Sequence, residues 1–185
     1  MASARTLKLG IAALASFLVV SCADARNPLD PAQQPLLARS SGASSVSYQA
    51  LTRGSRGGSA KVQQVISAST GGTISAGGVS LSFTGGELRK DRPIKLTVPA
   101  GDYFEARFNP HGLRFNSPAK LCFDLAGLNV DPSDLVGIYL GNKGLERSGR
   151  ITDPEETIPA TVSDGEVCIP VRHFSGYIVA SGRTR

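Results

Sequence analysis

Residues 94–125 read IKLTVPAGDYFEARFNPHGLRFNSPAKLCFDL. Apolar and polar residues alternate through Ile94 to Val98, Tyr103 to Phe108 and Ala119 to Leu125, the period of two that a half-buried strand imposes. Between these runs stand PAGD and NPHG, whose prolines pre-set φ and whose glycines accept the backbone that tight turns require. The same grammar extends outward, giving strands at Gly72 to Ser75, Val79 to Phe83, Val136 to Leu140, Val167 to Arg172 and Tyr177 to Ser181, with GG, DPSD, GNKG and SDGE between them. Short strands at this spacing predict an all-β domain, an antiparallel β-sandwich. Its expected core is Leu81, Phe83, Leu96, Val98, Phe104, Ala106, Phe108, Leu121, Phe123, Leu125, Ile138, Leu140, Ile169 and Val171. Pro170, inside a strand, predicts an edge or a bulge there. One turn of helix is expected at Asp131 to Leu135, and a short helix is allowed around Lys61 to Ser67.

GGTISAGGVSLSFTGGEL (71–88), the 94–125 stretch and the closing VRHFSGYIVAS (171–181) together resemble the ZU-five domain, the β-sandwich of zona occludens proteins, netrin receptors and ankyrins. Pro110, Gly112, Phe115 and Pro118 match that family's Pro-x-Gly-x-x-Phe segment and the proline-containing strand after it. The resemblance implies a fold and a general role in protein interaction. It also implies one chemistry, because some relatives in cell-death adaptor proteins cleave themselves within His-Phe-Ser, and His173-Phe174-Ser175 matches that sequence. There a strained bond lets the Ser175 hydroxyl attack the Phe174 carbonyl, with His173 moving the proton, and the ester formed is hydrolysed. The alternative is structural: His173 and Ser175 satisfy backbone groups while Phe174 packs. Gly176-Tyr177 stands where the cleaving relatives carry bulky aromatics.

The N-terminus is of another kind. Arg5 and Lys8 precede the apolar run IAALASFLVV (11–20), which is shorter than the roughly 20 residues a membrane-spanning helix needs. The run ends in Val19-Val20-Ser21-Cys22, which resembles the lipobox of exported bacterial lipoproteins. Residues 1–21 are therefore expected to be a signal peptide, with Cys22 acylated and the chain held by membrane lipid, at the outer membrane if the envelope has one. An ordinary signal cleaved after Ala23 or Ala25 is the competing reading. Residues 22–65, rich in Ser, Gly, Ala, Gln and Arg, are expected to form a flexible linker, and 66–185 the sandwich. Loss of Arg5 and Lys8 lowers the formal charge from +5. Arg26, Arg39, Arg53, Arg56 and Lys61 either approach anionic headgroups or are simply solvated.

Cys122 and Cys168 then remain as an even pair, which in an oxidising compartment forms a disulfide; the alternative is two buried thiols. No run of cations interleaved with aromatics points to nucleic acid. The two histidines, His111 and His173, have no partner at metal-ligand spacing, so no metal or cofactor is expected. His111 is explained by its turn, GNKG lacks the rest of a phosphate loop, and Asp131, Asp134, Asp153, Glu155 and Glu156 lack calcium-loop spacing. The expected function is a non-enzymatic structural or protein-interaction role at the envelope. The alternatives are self-cleavage at Phe174-Ser175 and glycan binding.

Overall fold

A computed structural model describes residues 47–184 apart from 126, 142–144 and 153. The expected signal segment, Cys22 and residues 22–46 of the expected linker lie outside the described residues. The strands are β1 (Ser47–Ala50), β2 (Thr52–Gly57), β3 (Ala60–Ile66), β4 (Gly72–Ala76), β5 (Val79–Phe83), β6 (Arg92–Val98), β7 (Gly101–Tyr103) and β8 (Glu105–Asn109). They continue with β9 (Arg114–Asp124), β10 (Leu135–Gly141), β11 (Arg150–Ile151), β12 (Glu156–Pro159), β13 (Thr161–Ser163), β14 (Glu166–His173) and β15 (Gly176–Thr184). The expected helical turn is a 3₁₀ turn over Pro132–Asp134, capped by Asp131, whose carboxylate accepts from the Ser133 N–H at 2.9 Å. No helix among the described residues is long and apolar enough to cross a membrane.

All pairings between strands are antiparallel. The larger sheet runs β11-β1-β15-β8-β6-β3, with β10 on the other side of β15 and β12 beyond it. The smaller runs β13-β14-β9-β5-β4, and β2 with β7 forms a separate ribbon. The sheets pack face to face as a sandwich, and every residue of the expected core is buried. Ile138 and Leu140 belong to a second apolar cluster with Tyr48, Ile151 and Ile178, distinct from the one that fills the space between the sheets. Two tight hairpins follow from turn chemistry: Gly77-Gly78, with φ of 55° and 74°, and Asp164-Gly165, with φ of 54° and 79°. Positive φ at both central residues fits the twist of the flanking strands.

β15 is the hub of the larger sheet. One side carries β10, and the other carries β8 against Gly176 to Ile178 and β1 around Ala180. The sheet divides at Val179 through three backbone bonds. Leu51 donates to Val179 O at 2.8 Å, Val179 to Phe104 O at 3.1 Å, and Phe104 to Leu51 O at 3.2 Å.

Two expectations need correction. Residues 47–65 are not linker but strands β1, β2 and most of β3, and Lys61 to Ser67 is not helical. The segment has little apolar period because β3 is an edge strand and β1 and β2 are short. Their stability comes from partners far along the chain, which override local propensity. Arg53 accordingly lies over the Phe104 ring, 5.6 Å from its centroid. Pro170 behaves as expected. The Cys122 and Cys168 Cα atoms are 4.1 Å apart, the spacing of a non-hydrogen-bonded pair, and Pro170 sits two residues on, opposite Lys120. Its missing N–H therefore falls on the side away from β9, beyond the last β13 pair at Thr161↔Cys168.

Candidate functional site

The chain leaves the smaller sheet at the end of β14 and enters the larger at the start of β15, so Phe174 and Ser175 lie in the crossover between layers. Phe174 is fully buried there. Its ring stacks on Phe108 at 5.3 Å and meets Phe115 edge-on at 4.9 Å. The turn after β8 is stitched to this crossover. Phe174 N–H donates to Leu113 O at 2.8 Å, Gly112 N–H donates to Phe174 O at 3.1 Å, and Phe108 N–H donates to Ser175 O at 3.0 Å.

Ser175 is buried, and its hydroxyl donates to Gly141 O at 2.5 Å. The histidine beside it is His111, whose Nε2 stands 3.1 Å from Ser175 Oγ. His173 is directed elsewhere. Its Nδ1 is 3.1 Å from the Tyr177 hydroxyl, its Nε2 is 3.6 Å from Glu156 Oε2, and its ring meets Tyr139 edge-on at 4.5 Å. The Tyr177 hydroxyl gives its proton to His173 O at 2.6 Å, so it accepts from Nδ1. Burial, then Tyr139 and Glu156, pushes the Tyr177 phenol well above its ordinary range, so it remains a donor. A cavity of about 190 Å³ borders this cluster between Glu156, Pro170, His173 and Tyr177.

Chemically, the crossover holds a hydroxyl nucleophile, an imidazole within hydrogen-bond reach and a backbone N–H on the adjacent carbonyl oxygen. Those are the parts an acyl shift needs. The same contacts also satisfy a buried hydroxyl and carbonyl, as the structural reading of the sequence anticipates. Sequence reasoning assigned the proton-moving role to His173 and explained His111 by its turn. The pairing of β8 with β15, beginning at Arg107 and Gly176, and the bonds from Phe108 and Gly112 bring that turn to the crossover, and no spacing in the sequence announces them.

Cys122 and Cys168 meet as directly opposed residues of β9 and β14 at disulfide-bonding distance. Alternation places them on the face of the smaller sheet opposite Leu121, Phe123, Val167 and Ile169, with Glu166 and Asp124 as the next opposed pair on that face. No family model matches the chain, and no curated protein matches it in sequence.

Proposed function

We propose that this chain is a lipid-anchored envelope protein whose ZU-five-like sandwich serves as a docking module, joining an extended strand of another exported protein. The observation that carries the docking is the edge strand β3. It pairs with β6 through seven consecutive residues without a bulge, and it has no proline. Among the described residues nothing pairs with its other edge. Natural edges are usually blunted by bulges, prolines or several charges. Here Lys61 is the one charge, and Val65, the only exposed large hydrophobic residue among those described, is 64% exposed. Such an edge offers main-chain groups for strand addition and alternate side chains for selectivity. Placement at the membrane rests on the lipobox-like Val19-Val20-Ser21-Cys22.

Two experiments test the reading. Cys22→Ser is expected to move the chain from membrane to soluble fractions; retention in the membrane would overturn the anchor. A photo-crosslinking residue at Gln63 is expected to give one discrete adduct in the intact envelope, abolished by Val65→Asp. Crosslinking that ignores the Val65 change would overturn docking at this edge.

Self-cleavage between Phe174 and Ser175 is the second reading, favoured by the approach of His111 to Ser175 and of the Gly112 N–H to Phe174 O. The Ser175 hydroxyl donates to Gly141 O in the structure, so cleavage would first require it to turn toward Nε2, and His111, not His173, would then accept its proton. Cleavage would release Ser175–Arg185 unless β15 stays docked, so intact mass under denaturing conditions decides. A single uncut mass removes this reading, and a cut that persists in His111→Ala removes the role of His111.

A further inference from the structure

The outer face of the smaller sheet carries a row of polar groups around the cysteine pair. Thr161 on β13 opposes Cys168, Cys168 opposes Cys122, and Cys122 opposes Ser80 on β5. One step along the strands, Glu166 stands opposite Asp124 on the same face. The two sulfurs and a Glu166 carboxylate oxygen all lie within 4.8 Å of one another. Six consecutive pairs, Glu166↔Asp124 through Val171↔Ala119, hold β9 to β14, so the register does not depend on the covalent bond. Access exists from both ends. A cavity of about 320 Å³ opens over Asp124 and Glu166, and another of about 340 Å³ opens beside Cys168.

We propose that Cys122, Cys168 and Glu166 form a thiol-gated site for a soft divalent cation of the Zn²⁺ type, closed while the disulfide stands and opened by its reduction. A dithiol reductant gives the Sγ–Sγ bond two electrons and two protons, yielding two thiols and its own disulfide. Metal binding then releases both thiol protons, since thiolates are the ligands. Two thiolates and a carboxylate suit zinc by donor type, and a solvent molecule completes four-coordination. Re-oxidation by a disulfide oxidant, which takes up the two electrons and is itself reduced to a dithiol, restores the Sγ–Sγ bond, removes two ligands and expels the ion. The site is independent of what docks at β3.

The test uses the full chain carrying Cys22→Ser, so that no third thiol takes part, reduced with a phosphine and titrated with Co²⁺ as a spectroscopic stand-in for zinc. The expected result is one equivalent of cobalt with thiolate charge-transfer absorption in the reduced protein. None is expected in the oxidised protein, and Zn²⁺ should abolish the absorption. Glu166→Gln leaves the disulfide intact and should weaken the reduced site by about tenfold or more, at least the cost of losing an outer-shell partner. Absence of the charge-transfer band in reduced protein overturns the site, as does an affinity that Glu166→Gln leaves unchanged. Loss of the β-sheet circular dichroism on reduction overturns it equally, because the ligands converge only while β9 and β14 remain in register.

Discussion

Glu87 is buried, yet its carboxylate is fully engaged. It accepts from Thr84 N–H at 2.9 Å, Thr84 Oγ at 2.6 Å and Gly85 N–H at 2.7 Å, closing the turn between β5 and β6. Burial opposes ionisation, but the bonds from Thr84 and Gly85 outweigh it and hold the carboxyl below the usual glutamate range. The unfolded chain therefore takes up a proton at a higher pH than the folded one. The contribution of Glu87 to stability is complete above the ordinary range and is lost as pH falls through the folded value. Glu87→Gln is expected to cost about 1–3 kcal/mol near neutral pH. That difference should shrink toward zero in acid, read as converging urea midpoints of the two proteins. A gap that stays constant with pH would show that charge has no part in this cap. The inward residues were legible from the sequence because a period of two needs no knowledge of partners. Glu87 was harder to see, although Thr84 with an acid three residues later carries the pattern of a capping box. His111 was not legible at all, since what gives it meaning is a serine 64 positions away.

Strands were readable where apolar alternation ran over several residues, and were missed at β1 to β3 and at the short β11 to β13, where pairing supplies what composition lacks. Packing between strands shows a second limit of local reading. Gly137 lies in the middle of β10, where glycine weakens a strand, and the sequence alone offers no reason for it. In the structure a Cβ there would stand 2.6 Å from Ile169 Cδ1 and 2.7 Å from its Cγ2. The missing side chain is what lets β10 lie against β14. Gly137→Ala is expected to destabilise by about 1–3 kcal/mol through overpacking. In an Ile169→Ala background the same change should cost much less, so the double-mutant cycle should return a coupling of about 0.5–3 kcal/mol. Additive losses would mean that the close approach is relieved by some other movement. The edge strand predicts the opposite pattern. Val65→Lys alters an exposed side chain and should move stability by no more than about 0.5 kcal/mol, while abolishing any adduct at Gln63. A large stability loss would place Val65 in packing rather than at a docking edge.

At the scale of the molecule, the decisive feature is that the closing strand is central. β15 takes β1, β8 and β10 as partners, so the beginning and end of the described chain meet, and neither half can complete the larger sheet alone. The described residues from Ser47 to Thr184 accordingly form one compact unit. Composition suggests a shorter domain beginning at Ile66, and the structure says what that shorter chain would lack. It would lose the buried Tyr48, Ala50 and Leu51 and bare the side of β15 around Ala180. It would also strip β6 of its outer partner and open the bonds that join Leu51, Phe104 and Val179. Burying one large apolar side chain contributes about 1.5–3 kcal/mol, and such losses, with the faces they uncover, approach the whole margin of about 5–15 kcal/mol by which domains stay folded. A chain beginning at Ala43 is therefore expected to unfold cooperatively in urea. One beginning at Ile66 should show no cooperative transition and should bind dyes that report exposed apolar surface. The disulfide does not rescue the shorter chain, because it ties β9 to β14 in the smaller sheet, while the damage falls on the larger. Cooperative unfolding of the chain from Ile66 would show instead that β1 to β3 only decorate a self-sufficient sandwich. The edge offered by β3 would then be free to detach, and the docking surface would have to be sought on β6.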